Sequence, residues 1–192
     1  ITQGRKVYRS ERELNAVRRE YIERARGLNL AVIFNTTLFS GNFQEVAELV
    51  RFFSTAAGVV SFVSFQLQAD TGRGVLRQRA DAISIDNTIS RIEQGAGTAL
   101  SFDTLIGGHH HCNRYAFAFV VNGKAYDGLD DPELAVSFMH ETAHVAFDRR
   151  HRWKTVRAVL IAVLKKPSLW FASLRWCTRV AWRARKDLLK SK

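Results

Sequence analysis

The chain has 192 residues, 46% hydrophobic and 24% charged, with two prolines, two cysteines and a formal net charge of +11. This is enough apolar side chain for one sizeable core, and too little proline and charge for a disordered chain. Two distant cysteines make no disulfide framework, and there is no run of about 18 apolar residues to cross a bilayer. A cytoplasmic protein is expected, with peripheral contact at the inner membrane face as its closest approach to lipid.

The first strong signals come in succession between residues 30 and 74. Residues 30–38 (LAVIFNTTL) begin apolar and end in the polar Asn35, Thr36 and Thr37. Residues 42–57 then place Phe43, Val46, Leu49, Val50 and Phe53 at helical i, i+3, i+4 spacing, and 59–68 (VVSFVSFQLQ) return to a strand-like pattern. Strands buried on both faces and alternating with helices predict a parallel α/β sheet. Ligands of such sheets sit at the carboxyl ends of the strands. Asn35, Thr36, Thr37, Gln66, Gln68 and the Gly72-Arg73-Gly74 turn would occupy that edge. A flanked arginine such as Arg73 can grip a carboxylate or phosphate in bidentate fashion.

Further along, 81–86 read as a loop entering a helix capped by Asp86 and running to Gly95, and 98–102 as a short strand. Residues 115–121 (YAFAFVV), the Asn122-Gly123 pair and 124–126 predict a β-hairpin, because Asn-Gly favours a type I′ turn. Asp131 and Pro132 then open a helix expected over 133–147, with aspartate as cap and proline at the first position.

The charge is concentrated at the carboxyl end. From Arg149 onward there are fourteen lysines and arginines against the single anion Asp187, a net of +13, so residues 1–148 together carry about −2. Residues 153–164 predict a helix stopped by Lys165-Lys166 and Pro167, and 168–189 a second one. In the second, Arg175, Arg179 and Arg183 follow i, i+4 spacing, while Leu169, Trp170, Leu174, Trp176, Cys177, Val180 and Trp182 give a broad apolar surface. Either that surface packs on the body and the arginines are solvated, or this tail lies on an anionic membrane surface. Nucleic acid ranks last, since no nucleic-acid motif accompanies the charge.

Two clusters invite metal chemistry. His109-His110-His111-Cys112 offers three imidazoles and a thiolate for a mononuclear zinc or iron site, although neighbouring side chains diverge. His140-Glu141-Thr142-Ala143-His144 matches the His-Glu-x-x-His pattern of zinc peptidases. On a helix it sets both imidazoles on one face, with Glu141 beside them to activate a zinc-bound water. A third ligand is not evident: no glutamate follows Glu141, His151 is one residue out of place for the six-residue spacing, and Asp148 lies close along the same segment.

The order of the motifs also carries a family resemblance. A helix with Tyr21 ending in Ala25-Arg26-Gly27-Leu28 leads to the Asn35-Thr36-Thr37 strand, a Gly41-Asn42 turn, the Glu45–Val50 helix, the Val63-Ser64-Phe65-Gln66 strand and Gly72-Arg73-Gly74. This succession resembles the second half of the partial (β/α) barrel of radical S-adenosylmethionine (SAM) enzymes. His111-Cys112-Asn113-Arg114 and the hairpin after it resemble the region beyond the barrel in some members. The resemblance covers roughly residues 18–131. It implies an α/β fold with the hairpin and a basic α-helical extension. It also implies a [4Fe–4S] cluster that cleaves SAM reductively to a 5′-deoxyadenosyl radical. Asn35, Thr36, Thr37, Gln66, Gln68 and Arg73 would face SAM, and Cys112 would ligate an auxiliary cluster or face the substrate. The defining Cys-x-x-x-Cys-x-x-Cys loop is absent, and two cysteines cannot hold such a cluster.

Because the first residue is Ile1 and the one methionine is Met139, the chain is expected to be the carboxyl-terminal part of a longer protein, partnered by its missing amino-terminal half. Three segments are expected: a barrel-like segment (1–108), a hairpin and helix (109–148) and a basic tail (149–192). The function classes in view are an inactive-alone radical SAM fragment acting on a substrate of lipid or membrane character, a zinc metallopeptidase-like protein, and a basic membrane-surface module.

Overall fold

A computed structural model describes residues 2–3, 6–68, 83–105, 107–109, 112–148 and 151–190. Arg73 with its flanking glycines, His110 and His111 lie outside the described residues. The chain is a mixed α/β protein that divides into two compact units, 1–99 with 123–125, and 100–122 with 126–192. Both of the segments expected at 109–148 and 149–192 fall mainly in the second unit.

In the first unit, β1 (Thr2–Gln3) and β2 (Lys6–Val7) form a small antiparallel pair. Helix α1 (Glu11–Ala25) starts at Ser10, whose hydroxyl accepts from the Glu13 N–H at 3.2 Å. Strand β3 (Val32–Leu38) leads through a 3-10 turn (Phe43–Glu45) into α2 (Val46–Thr55) and then β4 (Val60–Leu67). β3 and β4 are parallel, as the apolar runs predict, with Asn35 beside Ser64 and Thr37 beside Gln66. Ile22, Leu49, Phe53 and Val60 form the buried core, with Phe34, Phe52, Val63 and Phe65 packed against it. The expectation of strands buried on both faces is corrected. Burial alternates along β3, and Ile33 and Phe62 are 62% and 43% exposed, because among the described residues each strand pairs only with the other and one face is uncovered.

The loop after β3 is tied to α1 by a buried polar network. Asn42, 1% exposed, donates to the Glu11 carboxylate at 2.8 Å and to the Thr37 carbonyl at 3.0 Å, and accepts from the Phe39 N–H at 2.9 Å. Arg18 pairs with the Glu11 carboxylate and donates to the Glu11 carbonyl (2.9 Å) and the Asn15 side chain (2.8 Å). In return Glu45 accepts from the N–H groups of Glu11 and Arg12, filling donors that the helix start leaves open.

Helix α3 (Ile85–Ala96) packs on α2, and its cap is Ser84 rather than the expected Asp86. Ser84 and Asn87 exchange side-chain-to-backbone bonds, and that reciprocal pairing at three-residue spacing outweighs a lone aspartate. Gly95 lies where α3 meets α2.

The expected strand at 98–102 is instead loop. Ser101 there is held by Asp127, which accepts from its N–H at 3.2 Å. Strands β5 (Ala118–Val121) and β6 (Lys124–Asp127) form the expected hairpin, with Asn122 and Gly123 at φ of 52° and 78°, the positive pair that a type I′ turn requires. Helix α4 (Pro132–Thr142) has Asp131 as its cap, accepting from the Leu134 N–H at 3.1 Å. Helices α5 (Arg152–Leu164) and α6 (Pro167–Leu188) follow and pack with α4. No helix among the described residues is long and apolar enough to cross a membrane.

Two stability tests follow from these contacts. Asn42→Ala leaves the Glu11 carboxylate and the Thr37 carbonyl short of a buried donor and should cost about 2 kcal/mol in urea unfolding. Gly95→Ala would gain about 1 kcal/mol of helix propensity. Its Cβ, however, would stand 2.5 Å from the Ala47 carbonyl oxygen and 2.6 Å from the Val50 Cβ. Backbone cannot step aside easily, so an overpacking cost of about 1–3 kcal/mol should win and lower the melting temperature.

Candidate functional site

The carboxyl ends of β3 and β4 bring together part of the expected set. Parallel pairing aligns Thr37 with Gln66, and the Asn35 side-chain amide donates to the Gln66 side-chain oxygen at 3.2 Å. Asn35, Thr37 and Gln66 are all exposed, so this polar row faces the uncovered side of the pair. Thr36 does not join them. The alternation of a strand turns it to the packed face, 4% exposed, where its hydroxyl has no hydrogen-bond partner among the described residues. Gln68 continues the ladder, its N–H donating to the Leu38 carbonyl at 2.9 Å. The result is a shelf of two carboxamides and a hydroxyl, which can donate to a carboxylate and accept from a ribose hydroxyl.

The histidine motif is arranged differently from the sequence expectation. Helix α4 stops at Thr142 rather than 147, Ala143 closes it, and His144 lies in the turn just beyond. The Thr142 hydroxyl bonds back to the Phe138 carbonyl at 2.7 Å, the kind of local bond that competes with helix continuation. Glu141 is engaged by Lys166 at 2.7 Å and lies 3.5 Å from the His140 ring. The Lys166 hydrogen bond holds the Glu141 carboxyl below the usual carboxylate range, the opposite of the upward shift that suits a general base near neutral pH. His151 and Asp148 bond each other, the Asp148 carboxylate accepting from the His151 N–H at 2.9 Å. Among the described residues no group of three or more His, Cys, Asp or Glu side chains converges on one point.

Cys112 is exposed, with its sulfur 4.0 Å from the His109 ring nitrogen, and Cys177 is exposed on α6. Neither meets a second thiol, so the donor set described here does not suit an iron–sulfur cluster.

The tail arginines have partners that the sequence did not reveal. Asp130 accepts from Trp176 Nε1 at 3.1 Å, from Arg179 at 3.1 Å and from Arg183 at 2.6 Å, and Asp131 lies 3.5 Å from Arg179 and 4.0 Å from Arg175. The stripe expected to be solvated or lipid-facing is turned toward two carboxylates. Trp176 also packs against Phe119 at 5.4 Å between ring centroids.

The zinc geometry has a direct check. After dialysis against excess zinc and desalting, the purified chain should retain much less than one equivalent, and His140→Ala with His144→Ala should leave its zinc content unchanged by elemental analysis. Known proteins give no further guide to the site: no protein-family model, no curated protein and no solved structure matches the chain.

Proposed function

We propose that this chain is the carboxyl-terminal part of a radical SAM enzyme, with the ends of β3 and β4 forming one wall of the SAM site. The observation that carries the reading is the parallel β3–α2–β4 unit, with Asn35, Thr37 and Gln66 side by side at its carboxyl end. Parallel sheets are normally covered on both faces and extended by further strands. Here β3 and β4 pair only with each other among the described residues, and Ile33 and Phe62 are left exposed. Additional strands from an upstream half of the same protein would extend this pair toward a partial barrel and cover those side chains.

In that setting upstream cysteines would hold the [4Fe–4S] cluster, which would supply the electron for SAM cleavage. This chain's own residues would bind and orient SAM. The Asn35 and Gln66 amides are suited to its carboxylate and ribose, and the Thr37 hydroxyl stands next to them. The tryptophan-rich basic tail makes a lipid or membrane-associated substrate the favoured class. The zinc-peptidase reading lacks comparable support, because Glu141 is bound to Lys166 and the helix ends before His144.

The deciding experiment reads the DNA upstream of the Ile1 codon in frame. A Cys-x-x-x-Cys-x-x-Cys loop within about 150 codons, the span of the absent part of a barrel, is expected. A stop codon or an unrelated domain there would overturn the reading. With the joined protein in hand, Asn35→Ala combined with Gln66→Ala should weaken SAM binding about tenfold by equilibrium dialysis, the loss of one to two net hydrogen bonds.

A further inference from the structure

Helices α5 and α6 expose more apolar surface than a solvated basic tail would. On α5, Trp153, Val156, Leu160, Ile161 and Leu164 are 82%, 41%, 54%, 44% and 60% exposed. Their spacing is that of a single helical stripe, interrupted only by Arg157. On α6, Phe171, Leu174 and Trp182 are 61%, 51% and 67% exposed, and Leu189, which closes it, is 85% exposed. Buried positions on these helices, such as Ala162, Val163, Leu169 and Ala184, are mostly small or few. A helix whose larger apolar side chains face outward in a stripe presents a docking face rather than an ordinary surface.

The charge decides what docks there. Residues 151–190 hold eleven lysines and arginines against Asp187 alone. Asp130 and Asp131 engage Arg175, Arg179 and Arg183, while Lys154, Arg157, Lys165, Lys186 and Lys190 stand at exposed positions. A second copy of the chain would set two strongly positive surfaces against each other. Nucleic acid would meet the charge but offers no apolar phase to Leu160, Leu164 and Phe171. An anionic bilayer supplies phosphates and hydrocarbon together, and its interface suits Trp153 and Trp182.

We infer that the outward stripes of α5 and α6 are an interfacial binding surface for anionic phospholipid membranes. The helices lie in the plane of the interface. Trp153, Leu160, Leu164, Phe171 and Trp182 enter the apolar boundary while the exposed lysines and arginines reach lipid phosphates. Arg179 and Arg183 are not in the lipid-binding set, since both already donate to the Asp130 carboxylate. This inference is independent of the SAM reading and survives its failure.

The test uses the full chain with vesicles of phosphatidylcholine alone or with about one-third phosphatidylglycerol. Binding is read by co-sedimentation and by the emission of the four tryptophans, all of which lie in the tail. The anionic vesicles should bind at least about tenfold more tightly, with a blue shift in emission, and raising salt from about 0.1 to 0.5 M should weaken but not abolish that binding. Leu160→Ser with Phe171→Ser should reduce binding about tenfold without changing the melting temperature, because both side chains are exposed. Lys154→Glu with Lys165→Glu should remove the preference for anionic lipid. Four results would each overturn the inference: equal binding to both vesicles, binding untouched by the serine pair, a lipid-free dimer that the serine pair dissolves, or tight duplex DNA binding with no vesicle binding.

Discussion

The first unit depends on a carboxylate that uses both of its oxygens inside the protein. Glu11 stands at the first turn of α1, 3% exposed, with Arg18 on one oxygen and Asn42 on the other. A buried ion pair contributes little net stability compared with an apolar substitute, but removing one partner leaves an uncompensated charge. Its value here is therefore geometric. Asn42 passes the constraint to the Thr37 carbonyl and the Phe39 N–H, fixing the path of the chain as it leaves β3. Arg18 extends toward the core, 5.8 Å from the Phe53 ring centroid, so the same cation connects the polar network to the apolar cluster. Glu45 closes the loop by capping α1. The end of β3, where Asn35 and Thr37 sit, is set by a helix that lies earlier in the chain.

A related constraint organises the tail. Asp130 gathers an indole N–H and two guanidinium groups from α6, and Asp131 does double service as the cap of α4 and as an anion beside Arg179. The carboxylates are half-buried and the arginines partly exposed, so the value of these charge-assisted bonds lies more in orientation than in net stability. They orient α6 by its arginine row, and a helix oriented by its cations has its larger apolar side chains turned elsewhere. The usual arrangement of a surface helix, apolar inward and charged outward, is partly reversed, and the exposure of Phe171, Leu174 and Trp182 is the consequence.

What the sequence disclosed and what it concealed divide along the range of the interactions. Features set by local chemistry were legible: the apolar runs of β3 and β4, the helical spacing of Val46, Leu49 and Phe53, the positive-φ turn at Asn122-Gly123, and the Asp131-Pro132 helix start. Features set by partners far along the chain were not. Glu11 and Arg18 are seven residues apart on one helix and look like solvated charges until Asn42, 31 residues away, is seen to complete them. Arg179 and Asp130 are 49 residues apart. The end of α4 at Thr142 has no glycine or proline to announce it, so the apolar residues beyond it, Val145 and Phe147, extended the expected helix too far. The outward stripe of α5 was written in its spacing from Trp153 to Leu164, but spacing marks one face without telling whether that face turns inward or outward.

The candidate SAM wall raises a question of energy that the geometry answers in part. Asn35 and Gln66 spend one hydrogen bond on each other, so a ligand must displace it or use the groups that remain. An exposed amide–amide bond is worth little net, since water competes for both groups, and breaking it costs far less than desolvating two unpaired amides would. The bond nevertheless holds both side chains within reach of one ligand group, which reduces the rotamer entropy lost on binding. Thr36 has the opposite balance. Its hydroxyl is already desolvated and has no partner among the described residues, but it faces the packed side of the strand. Of the polar residues Asn35, Thr36 and Thr37, alternation turns two outward to solvent and commits the one between them to the core.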